Sequence, residues 1–428
     1  MNDNQYNSQN TDNGQEKINF DDRDFQNPYS QYYAQKNEPK RQEEPTDRDF
    51  SNPYSKYYGK TDVGENEKEK IDLSRDFNAD GTNAFQNTYE KVYDFVYEEP
   101  DLLKAYKAKR NFTRIGIGYA LFSAITIAVT RIIARLVYTL SPEFYNTTLF
   151  VNAITPVALY IFALPILLII LSGSESKPPK KRKMSAKAWF ITLLVAFGCM
   201  YIGSYIGNFV MAYLSEIMNY DYSNSLNSII DNEKLWITAI FTVIVAPIGE
   251  EIVFRKLIID RTQKYGAFVS IGLSALMFGL MHGNFYQFFY CFALGIILGY
   301  IYYSTGKVWL TIAMHAVINF VGGILSSFLL PVAEGLETLD VTNMDAVMKF
   351  VSENIFGLLL TAAFTLFMMA TMACAVIFPI VFRKKITFER GEDEIAPKSA
   401  FRSVILNVGI IIMLVVYLLE FGLNLLPI

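Results

Sequence analysis

Nine long apolar runs, separated by short polar segments, occupy the chain from residue 115 onward. Each run is close to the length of about 20 residues that an α-helix needs to cross a bilayer. The pattern therefore predicts an all-α polytopic membrane protein, a bundle of about eight or nine transmembrane helices. The predicted spans are residues 115–139, 149–172, 187–215, 236–263, 267–283, 286–303, 308–330, 354–382 and 403–426.

The N-terminal part has a different pattern. Residues 1–83 are rich in Asn, Gln, Asp, Glu and Tyr without apolar periodicity, which predicts a disordered polar tail. Within it, Asp-Arg-Asp-Phe occurs at 22–25 and again at 47–50. This repeat indicates either a docking motif for a cytoplasmic partner or a duplicated spacer. Residues 84–111 predict an amphipathic juxtamembrane segment, which leaves 112–428 as the transmembrane domain.

Composition supports a membrane protein and argues against nucleic-acid binding. Hydrophobic residues make up 52% of the chain and charged residues 19%. The part after residue 112 is too apolar for an ordinary soluble domain, and a net charge of −4 offers no basic excess for nucleic acid. The three cysteines, Cys199, Cys291 and Cys374, fall in separate apolar runs and predict small core side chains rather than disulfides.

Lys and Arg concentrate in alternate loops. They cluster around 104–114, 177–183 and 383–385, whereas 216–235 and 331–353 are poor in both and carry Asp and Glu. With nine spans, the basic segments all fall on one side of the bilayer, which the positive-inside rule assigns to the cytoplasm. We therefore expect a multi-pass cell-membrane protein whose N-terminal tail is cytoplasmic.

The fourth predicted span contains two adjacent carboxylates, Glu250 and Glu251. Ionisable side chains inside a bilayer need partners or a function. Arg255 follows Glu251 at i,i+4 with the acid first, which favours an ion pair and leaves Glu250 without a local countercharge. Pro247 interrupts the helical hydrogen-bond ladder just upstream, which is typical of a site. The alternative is that these charges mark the solvated cytoplasmic end of the span.

The two histidines of the chain both fall in apolar spans. His315 precedes Asn319 by one helical turn, so the two side chains share a helix face. At a rise of about 1.5 Å per residue, His282, His315 and the carboxylates fall in one broad layer of the bilayer and could meet across the bundle. Gly295 and Gly299, between them in sequence, predict close helix packing. The alternative for each histidine is an interhelical hydrogen bond.

Three motifs occur in order on successive predicted helices: Glu-Glu-x-x-x-Arg, Phe-x-x-x-His and His-x-x-x-Asn. They resemble the motifs of the CPBP family, the CAAX proteases and bacteriocin-processing enzymes that are also called the Abi family. The resemblance covers about residues 187–330. It implies an intramembrane endopeptidase acting on prenylated (CAAX-type), lipid-modified or leader-peptide substrates held in the lipid bilayer.

The resemblance also implies a role for each motif residue. A carboxylate can take a proton from water as a general base, and the resulting oxyanion needs preorganised donors. By motif position, these roles fall to a base and its partner in activating water (Glu250 and His282), two oxyanion donors (His315 and Asn319) and two structural supports (Glu251 and Arg255).

The cofactor requirement stays open at the level of sequence. Water could be activated without a cofactor, or by a divalent metal such as zinc bound to Glu250, His282 and His315. Two His and one carboxylate with an open position suit such an ion, although the chain has no His-Glu-x-x-His.

Two other functions also stay open. One is a non-catalytic scaffold or bacteriocin-immunity membrane protein of the same family. The other is a secondary transporter with a Glu/His proton relay. Transporters tend to repeat their broken helices in two halves, whereas the polar groups here cluster in the fourth to seventh predicted spans without a counterpart in the first three.

Overall fold

The computed structural model describes residues 101–220, 222, 234–388, 391–394 and 400–426. The predicted tail and its repeats lie outside this range, as does most of the predicted juxtamembrane segment. The described end of that segment is the start of the first long helix. All regular structure in the described residues is helical, and the predicted all-α polytopic fold is therefore confirmed.

Nine apolar helices follow one another along the described chain, and we label them α1 to α9. Seven are long and apolar enough to cross a membrane, while α5 and α9 are shorter apolar helices. Their positions agree closely with the nine predicted spans. They are α1 Asp101–Leu140, α2 Thr148–Leu171, α3 Ala186–Met218, α4 Leu235–Tyr265, α5 Ala267–Leu280, α6 Phe285–Thr305, α7 Val308–Leu325, α8 Met344–Val381 and α9 Val408–Asn424.

The main departure from the predicted spans is the segment before α8. The predicted loop 331–353 is largely helical, and α8 already begins at Met344. An exposed i,i+4 ion pair between Lys349 and Glu353 lies on this first part of the helix, where such pairs favour helix formation. The predicted boundary corresponds to a bend, because Asn354 has non-helical dihedrals of φ −118° and ψ 17°. The charged residues in this exposed first part of α8 are the reason that it was predicted as a loop.

Two clusters of buried side chains hold the helices together. The first joins α1, α2, α4, α5, α9 and the start of α6, and it includes Phe112, Tyr119 and Phe254. The second joins α3, α6 and α7, with side chains of α8 packed against it, and includes Leu298 and Met314. Because lipid chains are as apolar as these residues, close packing rather than transfer from water stabilises such contacts. The motif-bearing helices α4 and α7 belong to different clusters, so their polar side chains meet where the clusters join.

Glycines bring the backbones close together around α6. A Cβ atom on Gly203 of α3 would lie 2.6 Å from the Cα of Tyr290, and one on Gly295 would lie 2.8 Å from the Cα of Ala275 in α5. Gly299 faces the side chain of Ile271, which lies one turn away from Ala275 on α5. The close approach predicted from Gly295 and Gly299 is confirmed.

Charged residues after α2 and α8 contact the end of α4 at one end of the bundle. The Lys177 backbone N–H donates to the Asp260 carbonyl at 2.8 Å, and its ammonium group pairs with Glu392 at 2.5 Å. Lys264 pairs with Glu175 at 2.7 Å. The segments that follow α2 and α8 therefore lie beside the end of α4.

Candidate active site

The helix that carries both carboxylates, α4, is not a regular α-helix. Ile240–Val245 and Glu251–Lys256 are π-helical, and the turn Ala246–Glu250 between them is α-helical. Pro247 has no N–H to donate, so the ladder cannot run unbroken through this turn. Single π-helical turns occur frequently at functional sites. The interruption predicted at Pro247 is present, and the second π-helical turn begins at the second carboxylate.

Glu251 and Arg255 form the predicted ion pair. The carboxylate lies 3.2 Å from the guanidinium Nε, and both side chains are fully buried. The guanidinium carbon lies 4.1 Å from the ring centroid of Phe278 on α5, within the range of a cation–π contact. Neither charge reaches water, so each depends on the other for its stability.

His315 of α7 lies between the two carboxylates. Its Nδ1 is 3.0 Å from the nearer Glu251 oxygen, and its Nε2 is 3.7 Å from a Glu250 oxygen. An ionised carboxylate only accepts hydrogen bonds, which assigns the Nδ1 proton to the contact with Glu251. The second distance is too long for a direct hydrogen bond and leaves Nε2 facing Glu250.

His282 follows the end of α5 and contacts a different set of groups. Its Nδ1 donates to the Phe278 carbonyl at 2.9 Å, which leaves Nε2 as the acceptor. That nitrogen lies 3.4 Å from the thiol of Cys291 on α6. The ring of Phe278 stands edge-on to both His282 and His315, with centroid distances of 5.2 and 5.7 Å. One phenyl ring thus holds the two imidazoles apart. Cys291 is buried as predicted, but its position beside His282 has no signature in the sequence.

The side chain of Asn319 on α7 forms a hydrogen bond with the backbone of α4. Its side-chain amide donates to the Thr242 carbonyl at 2.8 Å. Thr242 belongs to the first π-helical turn of α4, and Phe320–Leu325, directly after Asn319, is π-helical as well. The amide group carries a second N–H, so this contact uses one of two donors.

The three residues suggested as zinc ligands do not form a metal site. Among the residues that the structure describes, no three His, Cys, Asp or Glu side chains are grouped so that they could hold a metal ion. His315 directs Nδ1 to Glu251, and His282 directs Nε2 to Cys291. The donor set does not fit a divalent metal, and no step proposed below passes through one.

A cavity too narrow to hold a water molecule borders Glu250 on the side of α1 and α2. The other residues that line it are Phe122, Leu159, Tyr160, Val253, Phe254 and Met281. Tyr160 brings a hydroxyl group to this apolar cavity from a helix that carries none of the motifs. Sequence reasoning missed it, because a single tyrosine in an apolar span carries no distinguishing pattern.

Residues 232–321 match the family described as Type II CAAX prenyl endopeptidase Rce1-like. This stretch is similar to that family, and we call it the Rce1-like domain. It lies inside the predicted core of about residues 187–330 and confirms the resemblance to the CPBP family. All six motif residues fall within it, so the Rce1-like domain contributes both carboxylates, both imidazoles and the amide of the site.

Curated proteins give a shorter match. A protein of Bacillus subtilis (strain 168), named "Putative membrane peptidase YdiL", is 33% identical over 81 residues, which is 19% of this chain and 33% of the relative. The chain therefore spans about a third of the length of the curated relative that it matches. No solved structure gives a significant match.

Proposed function

We propose that the chain is an intramembrane endopeptidase of the CAAX type, which hydrolyses peptide bonds of prenylated, lipid-modified or leader-peptide substrates. One observation carries the proposal. Glu250, within an Rce1-like domain, faces the Nε2 atom of His315, while its neighbour Glu251 is paired with Arg255. A carboxylate within a membrane helix and without its own countercharge indicates a functional group.

In the proposed reaction, Glu250 acts as the general base. A water molecule between Glu250 and His315 loses a proton to the carboxylate as its oxygen forms a bond to the substrate carbonyl carbon. The C=O π electrons move to the oxygen, and the C–N bond of the intermediate then breaks as the proton passes to the leaving nitrogen. General acid–base catalysis of this kind contributes roughly 10²–10⁴-fold in rate.

The remaining motif residues hold and complete this arrangement. Glu251 accepts from Nδ1 of His315 and so fixes the orientation of the ring toward Glu250, as second partners of imidazoles commonly do. Arg255 neutralises Glu251. His282 is the second imidazole beside the reacting water. The free N–H of Asn319 is the donor to the oxyanion, where a water-poor cavity strengthens the hydrogen bond.

The experiment that tests this proposal compares Glu250→Gln with the wild type. The full chain is purified in detergent and given a fluorogenic peptide with a farnesylated C-terminal CAAX sequence, its unprenylated form, and an unrelated leader peptide. We expect cleavage by the wild type and a loss of at least about 10²-fold in Glu250→Gln, because an amide of the same size cannot take a proton.

Glu353→Gln is the matched control, since it removes an exposed carboxylate from α8 and should leave cleavage unchanged. Retained cleavage in a folded Glu250→Gln protein would contradict the proposal and favour a non-catalytic scaffold or immunity protein. A second arm measures the zinc content and adds 1,10-phenanthroline. We expect cleavage to continue without stoichiometric zinc. Loss of cleavage that zinc restores would instead assign Glu250, His282 and His315 to a metal.

The orientation in the membrane is part of the same proposal. We place the basic end, where Lys177 and Lys264 lie together, at the cytoplasmic face of the cell membrane, following the positive-inside rule. A cysteine introduced at exposed Lys181 should then resist an impermeant thiol reagent in intact cells, while one at exposed Asp340 should react. The reverse pattern would invert the proposed topology.

A further inference from the structure

We propose that Tyr160 of α2 is a catalytic residue of this site, whose hydroxyl donates a hydrogen bond to the carbonyl oxygen of the scissile peptide bond. The proposal rests on the proposed peptidase function. It assigns part of the active site to a helix outside residues 232–321, the range of the Rce1-like domain. Three observations support it: the contact of Tyr160 with α4, the cavity it shares with Glu250, and the contacts of the other donors.

Tyr160 reaches α4 at the residue directly before the proposed base. Its ring and hydroxyl lie against the Cα atom of Gly249, so closely that any side chain at that position would overlap both. The glycine therefore makes room for the tyrosine at this point. Tyr160 lies in the π-helical turn Ala158–Ala163 of α2, and Gly249 lies in the α-helical turn between the two π-helical turns of α4.

The cavity gives this hydroxyl a chemical role. Tyr160 and Glu250 both line it, and the other lining side chains are those of Phe122, Leu159, Val253, Phe254 and Met281. A hydroxyl group surrounded by apolar side chains interacts strongly with any polar atom that enters, because no water competes for it. The scissile carbonyl must lie within about 3 Å of the water that Glu250 activates, and in this proposal its oxygen points to the side of the carboxylate that Tyr160 borders.

The other polar groups of the site are largely occupied by protein contacts. Nδ1 of His315 contacts Glu251, and Nδ1 of His282 donates to the Phe278 carbonyl. Asn319 donates one of its two N–H groups to the Thr242 carbonyl. Tyr160, by contrast, donates to no backbone carbonyl among the described residues, whereas the buried Tyr119 nearby donates to the Val253 carbonyl. Its hydroxyl is therefore available to a substrate.

A donor in this position would act mainly in the transition state. The carbonyl oxygen gains charge as water adds, and a neutral hydroxyl held in place strengthens its hydrogen bond without transferring its proton. Removing one such donor typically lowers kcat by roughly 10²–10³-fold. Tyr160→Phe keeps the ring on Gly249 and deletes only the hydroxyl, so the packing of α2 against α4 is preserved.

The test measures kcat and KM of the full chain on the farnesylated CAAX peptide for wild type, Tyr160→Phe and Tyr201→Phe. Tyr201 on α3 is a buried tyrosine, and its hydroxyl has no hydrogen-bond partner among the described residues. We expect Tyr160→Phe to lower kcat by about 10²-fold with little change in KM, and Tyr201→Phe to match the wild type. Unfolding midpoints of all three proteins report folding.

The outcomes separate the two proposals. If the wild type cleaves the peptide and folded Tyr160→Phe retains its kcat, the role of Tyr160 is overturned and the peptidase function stands. A higher KM with unchanged kcat overturns it as well, because it indicates substrate binding rather than transition-state stabilisation. If the wild type cleaves none of the peptides, the peptidase function fails, and the role of Tyr160 fails with it.

Discussion

Helices α4 and α6 are both apolar enough to cross a membrane, yet they are held in the bundle in different ways. Helix α6 is α-helical throughout and packs through Gly295 directly against the backbone of α5. Helix α4 contains two π-helical turns and a fully buried ion pair, and its Thr242 carbonyl accepts from a neighbouring helix. Helix α6 is held by close backbone packing at its glycines, whereas α4 is held by polar contacts.

The difference shows where this membrane protein departs from regular packing. Buried charges and interrupted helices lower stability unless each polar group finds a partner. Among the described residues, the buried Asp, Glu and Arg side chains all lie on α4, whereas α3 and α6 of the second cluster are α-helical throughout and in close contact. Such departures from regular structure are expected at functional sites. Four substitutions test how far the two regions differ, and they are ordered here by expected effect.

The largest effect is expected from breaking the buried ion pair of α4. Glu251→Gln removes the charge that neutralises Arg255 and weakens the contact that orients His315. A stranded buried charge typically costs about 3–5 kcal/mol, so we expect that loss in the free energy of unfolding, measured by denaturant titration in detergent. The fraction that folds should retain some cleavage, unlike Glu250→Gln.

The matched control has the same spacing on an exposed helix. Glu353→Gln breaks the i,i+4 pair with Lys349, whose side chains are 60% and 74% exposed. Exposed pairs of this kind contribute about 0.5 kcal/mol or less. Equal losses in the two variants would show that burial is not what distinguishes α4.

A smaller loss is expected from disturbing the glycine contacts of the second cluster. Gly203→Ala places a methyl group 2.6 Å from the Cα of Tyr290, so α3 and α6 must separate. Overpacking of this kind costs about 1–3 kcal/mol, which the unfolding free energy would report, while the kcat of folded protein should change little. Gly272→Ala is the control, because nothing lies within 4 Å of the added Cβ. If Gly203→Ala does not change the free energy of unfolding, the fold does not depend on the close approach of the α3 and α6 backbones.

Asn319→Ala removes one of the hydrogen bonds that join α7 of the second cluster to α4. The Thr242 carbonyl then lacks its donor, and we expect a stability loss of about 1 kcal/mol. If the second N–H binds the oxyanion, kcat should also fall by roughly 10²-fold. Asn152→Ala is the control, since that amide connects α2 to Thr238 of α4 in a similar way and should affect only stability. Equal kcat values for the two variants would remove Asn319 from the proposed mechanism.

The smallest effect is expected at the basic end of the bundle. The Lys264 ammonium group, 2.7 Å from Glu175, lowers the pKa of that carboxyl. The pair therefore stabilises the fold at pH values above the unfolded pKa of glutamate, and this contribution disappears as the pH falls through the lower, folded pKa. The Glu175 side chain is 67% exposed, so solvent limits the contribution to under about 1 kcal/mol. Unfolding free energies of wild type and Glu175→Gln should differ slightly near neutral pH and converge in acid.

The spans and the ion pair were predictable because both depend on residues close together in sequence. Apolar length determines a span, and i,i+4 spacing fixes the contact between Glu251 and Arg255. Counting residues along each helix also placed the carboxylates and His315 in one layer. It could not give the rotation of α7, which decides that His315 faces both carboxylates.

Features that depend on contacts between distant parts of the sequence were not predicted. The hydroxyl of Tyr160 and the thiol of Cys291 reach the site only through contacts between helices far apart in sequence. The π-helical turns shift the register of α2, α4 and α7. Apart from Pro247, no residue pattern indicates them. The helix before Asn354 was missed for the opposite reason, since its charges outweighed its helical spacing.

The position of Phe278 has a consequence for how this protein can change over evolutionary time. Its ring contacts the guanidinium of Arg255 and the imidazoles of His282 and His315. A substitution at any of these four positions alters the surroundings of the others, and such contacts make mutational effects non-additive. Viable variants should therefore exchange several of these residues together, and a single-site library would record each position as intolerant even where a compensated combination exists.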